Sequence, residues 1–349
     1  MTKSGTNLKK LSQHLGLSQT TVSRALNGFP EVNEKTRERV RMAARELNYQ
    51  PNPSAASLAT GKARQIGHVI PLSDHTMINP HFSDFIAGAG EAYARLGYDM
   101  LLRVVAQRDE HEVYRDFANR RRVDAVVVHG PLRGDGRIDL LQQLELPFLV
   151  HGRDGRDEAS YSWLDVDNAG SFRDATTFLI ERGHHDIALV NGLETMNFAH
   201  QRMQGYRAAL QEGNIDPRRD LLHSADMVEP YGYHATHELL GLSKPPSAII
   251  YSSILVAMGG ARALSEIGCK IGSDIAVIIY DDALSFLASA GEETSPNAPF
   301  FTSMRSSIRD AGRRAAEMLI KSIDHGSADH VHELWEPEFV LGASTGDAP

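Results

Sequence analysis

Gln19, Thr20, Ser23, Arg24 and Asn27 fall on one side of a short helix that turns about 100° per residue, while Val22, Ala25 and Leu26 fall on the other. The polar side carries no acid. Its residue types are those that read base edges: glutamine bonds adenine, arginine forks onto guanine, and a threonine methyl touches thymine. Such a helix works only if a partner presents it. Asn7 is a suitable N-cap before Leu8, Leu11 and Leu15, which recur at helical spacing, and Gly16 supplies a left-handed C-cap. Ser18 then caps the second helix, with Leu17 placed to staple onto Val22. Asn33 caps a third helix over 34–47, with Glu34 in its first turn and Val40, Ala43, Ala44 and Leu47 closing a small core. The spacing predicts a helix-turn-helix whose second helix enters the DNA major groove.

Two amphipathic helices with a glycine turn also occur in proteins that never meet DNA, so charge has to decide. Residues 1–64 hold 11 Lys/Arg and four Asp/Glu, a net of +7, whereas the whole chain is −9. Residues 65–349 therefore carry −16. A basic head on an acidic body marks a phosphate-binding module joined to something that is not one.

After Tyr49, the stretch 50–61 reads as a stop, a cap and about two turns of helix: Pro51 ends the third helix, Asn52 caps, Pro53 suits a first helical position, and Gly61 terminates. So short a helix is marginal alone and forms only when something holds it. The run 8–27, with Thr-Val-Ser-Arg-Ala-Leu-Asn at 21–27, then 32–37, 47–49, Pro51, Asn52, Leu58 and Ala59, closely resembles the lactose-repressor (LacI/GalR) family of bacterial transcription regulators. The likeness covers nearly the whole chain and is similar to the branch that regulates α-glucoside uptake. By position it implies base reading by Gln19, Thr20 and Arg24, and backbone contacts by Ser18, Thr21, Ser23, Asn27, Asn33, Thr36, Tyr49 and Asn52. It implies a hinge helix carrying Ala55 and Leu58, the leucine wedging into the minor groove at the operator centre.

At 349 residues and 42% hydrophobic content the chain can bury one or two large cores beyond the head. The single cysteine, Cys269, excludes an internal disulfide and a thiol-rich metal site. No apolar run approaches about 18 residues and the N-terminus is polar, which predicts a cytoplasmic protein with no membrane partner.

From Gln65 the pattern alternates strands at 66–70, 100–105, 123–128, 147–150, 186–190, 248–251 and 274–280 with helices at 82–96, 110–121, 169–182, 201–212, 231–240 and 256–267. Alternation of this kind means parallel sheets covered on both faces, with ligands beyond the strand C-termini. The expected fold class is an all-α helix-turn-helix head (1–50), a hinge (51–64) and an α/β core (65–349) of two parallel-sheet halves like periplasmic binding proteins. The resemblance places one half at about 65–163 and 295–325 and the other at about 164–294 and 326–345. Closure of the cleft between them is the expected motion.

Residues expected to face that cleft are Phe82, His129, His151, Arg153, Arg202, Ser253 and Asp281. Arg202 and Asp281 match the family's effector-binding arginine and aspartate, and an ionised acceptor with a five-donor fork suits a polyol. Phe82 and Phe85 are the two candidates for stacking on a sugar ring. Ser253-Ile254 replaces the family's usual Asn-Asp, His151 and Arg153 stand where an Asp is common, and Ile279 replaces a glycine, so no known member's ligand transfers.

Other motifs carry less. His184-His185 sits on a turn and does not converge on a metal, Asp281-Asp282 lacks the geometry of paired acid–base chemistry, the Gly-rich run 130–136 lacks phosphate-loop spacing, and 154–158 reads as a solvated loop. The expectation is a non-enzymatic, cofactor-free regulator, a repressor of sugar-use genes, bound as a homodimer to a palindromic operator and released by a mono- or disaccharide such as an α-glucoside. A co-repressing effector or a nucleoside ligand is the nearer alternative. A periplasmic sugar-binding protein is the more distant one, opposed by the basic head.

Overall fold

The computed structural model describes residues 7–49, 61–72, 80–285, 287, 299–325 and 329–346. Asn7, Ser18 and Asn33 each stand in extended backbone, and their side-chain oxygens accept the N–H groups of Lys10 (3.0 Å), Thr21 (3.0 Å) and Thr36 (2.8 Å). They open α1 (Leu8–Leu15), α2 (Gln19–Leu26) and α3 (Glu34–Glu46). Gly16 takes φ +64°, the left-handed conformation that lets the chain turn between the first two. Leu11, Val22, Ala25 and Val40 are wholly buried between the three helices, and Leu17 packs on them. Arg39 adds a tie that composition hides: Nη2 donates to the Leu15 carbonyl at 2.7 Å, holding α3 to the end of α1.

The seven strands expected from Gln65 onward and five further ones form two six-stranded sheets. The first runs β11-β5-β4-β3-β1-β2, from β1 (Gln65–Leu72), β2 (Asp99–Ala106), β3 (Ala125–His129), β4 (Phe148–His151), β5 (Ser162–Val166) and β11 (His332–Trp335), all parallel. The second runs β12-β10-β9-β8-β6-β7, from β6 (Ile187–Asn191), β7 (Leu222–Ser224), β8 (Ala248–Tyr251), β9 (Ala276–Asp281), β10 (Thr302–Arg305) and β12 (Glu338–Val340), with only the edge strand β12 antiparallel. Around the first lie α4 (Pro80–Leu96), α5 (Glu110–Asn119) and α6 (Gly136–Gln143). Around the second lie α7 (Asn168–Glu181), α8 (Asn197–Glu212), α9 (Glu229–Leu240) and α10 (Ile254–Glu266). The inner strands of each sheet are buried on both faces, which is why most of them read as apolar runs.

The long helix α11 (Ile308–His325), the short helix α6 and the strands β5, β7, β10, β11 and β12 lie outside the expected elements. They redraw the expected boundaries. β10 belongs to the second sheet although 295–325 was expected in the first half, and β11 belongs to the first although 326–345 was expected in the second. The chain passes between halves after Val166, between Arg305 and Ile308, and between Trp335 and Glu338.

Helix pairs on each half cross at glycine. A Cβ on Gly88 would fall 1.9 Å from the Arg309 carbonyl oxygen, one on Gly232 1.9 Å from that of Val256, and one on Gly205 2.0 Å from that of Ala169. The last contact presses α8 onto α7 and so sets the spacing of Arg202 from Asn168. Gly205→Ala is expected to destabilise the fold by about 1–3 kcal/mol through overpacking. A thermal melt checks it, and an unchanged midpoint would mean that the helices part at no cost.

Candidate functional site

The head presents the residues the sequence singled out. Gln19, Thr20 and Arg24 are exposed on α2, and with Ser23 they line a shallow concavity shared with Leu8 and Phe29. Ser18 and Thr21 are joined through their hydroxyls at 2.8 Å, and the Asn27 amide donates to the Ser23 carbonyl at 2.9 Å. These short side-chain bonds hold the rim of the face while leaving its centre to solvent. Asn33 and Thr36 begin α3, and Tyr49 packs partly on the head core. Asn52, Ala55 and Leu58 lie outside the described residues.

In the core, the C-terminal ends of β1, β3 and β4 and the start of α4 build an aromatic wall. Phe85 is 1% exposed and belongs to the core, so Phe82 is the ring left partly accessible. The His129 ring meets both phenylalanines edge-on, with centroids 5.3 Å from Phe82 and 4.8 Å from Phe85, and His151 lies 4.5 Å from Phe85. Burial pushes His151 down to about 4, and burial with neighbouring His68, His151 and Arg137 holds His129 well below the ordinary imidazole range. The wall is therefore aromatic and uncharged.

The opposite wall is charged. Arg202, on α8, is 5% exposed; its Nε donates to Asn168 Oδ1 at 2.8 Å and its Nη1 to the Ser252 carbonyl at 2.6 Å. Its guanidinium also lies 4.0 Å from the Tyr280 ring centroid and 4.9 Å from that of Phe198. Burial lowers its pKa, against the opposing pull of Tyr280, Asp282 and Asp165. A guanidinium held this way keeps its fork fixed, so it can bond a polyol without first losing side-chain freedom.

The two walls meet through α4. His81 Nε2 lies 2.7 Å from Asp282 Oδ2 and 3.4 Å from Ser253 Oγ, and Ser285 donates its N–H (2.6 Å) and hydroxyl (2.5 Å) to Asp84. Burial opposes protonation of His81, but the charge and hydrogen bond of Asp282 outweigh it and raise the imidazole. The two halves also bond directly, Arg133 N–H donating to the Thr195 carbonyl at 3.1 Å and Asn197 N–H to that of Pro131 at 3.2 Å.

Four expectations need amending. The Asp281 carboxylate accepts from Ala283 N–H at 2.9 Å and faces Arg305 at 3.7 Å, so the carboxylate brought to the cleft imidazole is Asp282. Arg153 is engaged by Asp165 (2.8 Å) and Glu158 (3.0 Å) and stacks on Trp163. It holds Asp165, which reaches Asn168 and through it Arg202. Ser253 is fully buried and caps α10 by accepting from Leu255 N–H. The run 154–158 is not wholly solvated either, because Asp154 is 2% exposed and accepts from the Tyr161 hydroxyl. Within the Gly-rich run 130–136, Asp135 caps α6 and pairs with Arg137. Sequence reasoning missed His68, His81, Asn168 and Asp282; only Asp282 carried a signal, its place next to a motif residue.

Against known families, residues 8–52 match the model of bacterial regulatory proteins of the lacI family, and residues 176–345 match a periplasmic binding protein-like domain. The chain is 42% identical over 343 residues to the HTH-type transcriptional regulator AglR of Rhizobium meliloti (strain 1021), covering 98% of this chain and 95% of that one. It is 33% identical to RafR of Escherichia coli, with 97% and 98% covered. Among solved structures, a complex of the transcriptional regulator CelR with cellobiose matches with a TM-score of 0.70 at 28% identity, covering 97% of this chain and 99% of that one. A lac repressor dimer matches in fold with a TM-score of 0.80 at 23% identity, covering 98% and 100%. A basic helix-turn-helix head, a two-sheet core with a cleft at its strand ends and full-length likeness to such regulators together place this chain in the LacI family of bacterial transcription regulators, which are not enzymes.

Proposed function

We propose that this protein represses sugar-utilisation genes by binding a palindromic operator as a homodimer, and that a mono- or disaccharide in the cleft releases it. The observation that carries the reading is the cleft itself: a neutral aromatic wall with Phe82 accessible stands opposite a fixed guanidinium and a His81–Asp282 pair. An aromatic ring for the apolar face of a sugar and charge-assisted partners for its hydroxyls are what a polyol needs. A glucoside disaccharide is the effector class we favour, in keeping with the relative CelR, whose solved complex contains cellobiose. Coupling to the head would run through 51–60, with Leu58 as the minor-groove wedge. No described helix is long and apolar enough to cross a membrane. A protein acting on operator DNA works in the cytoplasm.

Arg24→Ala is expected to weaken operator binding by about 1–3 kcal/mol and to relax preference at one position of each half-site. Band shifts on the matched and single-base-changed operators decide it. Equal weakening on every sequence would assign Arg24 to phosphate. A thermal-shift screen of mono- and disaccharides tests the effector reading, and Asp282→Asn should reduce the response more than Asp281→Asn does.

A further inference from the structure

A hydrogen-bond chain beneath the aromatic wall ends on one of the cleft imidazoles. Tyr93, on α4, is 1% exposed, and among the described residues its hydroxyl has a single partner, His68 Nε2 at 3.0 Å. His68 is fully buried in β1 and turns its other ring nitrogen, Nδ1, to His129 Nε2 at 2.9 Å. His129 is partly exposed, no described residue bonds its Nδ1, and that atom is not among the buried groups left without a partner. It is thus open to a ligand.

The protons on this chain can be placed by counting. A buried phenol with one partner either donates to it or leaves its own proton without an acceptor, the costlier arrangement. Tyr93 therefore donates, and His68 Nε2 accepts. Burial pushes His68 down to about 3, so it is neutral and carries its one proton on Nδ1, which it gives to His129 Nε2. His129, also neutral, then has its one proton on Nδ1. We infer that Tyr93 and His68 are positioning residues that lock His129 in the Nδ1–H tautomer, so that this imidazole offers a cleft ligand one donor and no acceptor.

Without the lock, an imidazole on a cleft wall could change tautomer to suit either kind of ligand group. With it, the position accepts a lone pair, from a hydroxyl, ring or glycosidic oxygen, and rejects an N–H or ammonium, whose proton would meet another proton. The edge-on contacts with Phe82 and Phe85 fix the ring plane. This inference deepens the effector reading and rests on it for the ligand's location, but the tautomer itself is measurable without any ligand.

The test is nitrogen NMR of the full chain labelled on its histidine rings, at about pH 7. Protonated Nδ1 and unprotonated Nε2 are expected on both His68 and His129; a protonated Nε2 on His129 overturns the lock. Tyr93→Phe removes the donor that orients the chain and should turn the single tautomer of His129 into a mixture, whereas a purely packing role for Tyr93 would leave it single. Maltose and cellobiose then serve as probes. A sugar that raises the melting temperature should shift His129 Nδ1 without changing its protonation, and a raised melting temperature with His129 unmoved overturns the donor's role. Tautomers as stated with no thermal response to either sugar count against the effector reading and leave the lock standing.

Discussion

Arg202→Ala is expected to raise the sugar concentration that releases half of the operator complex by about 100-fold, because one or two charge-assisted hydrogen bonds are worth roughly 1.5–3 kcal/mol each. Operator affinity without sugar should stay close to wild type. The guanidinium sits at the cleft, bonded to Asn168 Oδ1 and the Ser252 carbonyl, and touches no described residue of the head. The substitution also strands those two buried acceptors and should lower stability by about 1–3 kcal/mol, which a melt run alongside separates from the loss of response. Arg202→Lys keeps the charge but not the fork, so it should recover stability better than response. Release of the alanine variant at the wild-type sugar concentration would move the effector elsewhere.

Acid should destabilise the core through its buried imidazoles. His68 is held at about 3 and His151 at about 4, both by burial, against an ordinary value near 6.5. An imidazole whose pKa is lowered by folding binds fewer protons in the native state than in the unfolded one, so stability rises with pH across that interval. The stabilisation is complete above about pH 6.5 and is lost as pH falls toward about 4. For His68 alone the full interval, down to about 3, corresponds to about 5 kcal/mol. His81 has the opposite sign: its raised pKa contributes stability that is present below about 6.5 and fades as pH rises through its folded value, so it offsets only part of the loss. Melts between about pH 7.5 and 4.5 should show the midpoint falling steadily from about pH 6.5 downward. A flat profile to about pH 5, or a His68 ring titrating near 6.5, would contradict the burial described here.

Much of this was legible from the residues because the signals are local. Asn7, Ser18 and Asn33 mark helix starts by being short side chains before apolar-periodic runs, and each caps as its type requires. Gly16, Gln19, Thr20 and Arg24 needed only helical periodicity to be placed on a turn and an exposed face. Arg202 was found through the motif around it. What stayed hidden depends on residues far apart in the chain. His81 meets Asp282, 201 positions later, only because α4 of one half abuts the end of β9 in the other. His68 is one polar residue in an apolar strand, and nothing nearby in sequence announces that Tyr93 and His129 flank it in space. Whether Asp281 or Asp282 faces the cleft turns on where β9 ends and how the following turn folds, a matter of one residue. The boundaries between halves failed for a similar reason, since β10 and β11 are short strands whose sheet is chosen by tertiary pairing.

If sugar in the cleft controls DNA binding by the head, the two ligands must affect each other equally, because coupling free energy is reciprocal. The direct measurement is a pair of titrations on the full chain. Operator affinity is followed by fluorescence anisotropy with and without a saturating sugar, and sugar affinity by calorimetry with and without operator. We predict that both affinities fall by the same factor, about tenfold or more, corresponding to a coupling of roughly 1.4 kcal/mol or above. A sugar that binds the chain while leaving operator affinity unchanged would contradict control of the head by the cleft.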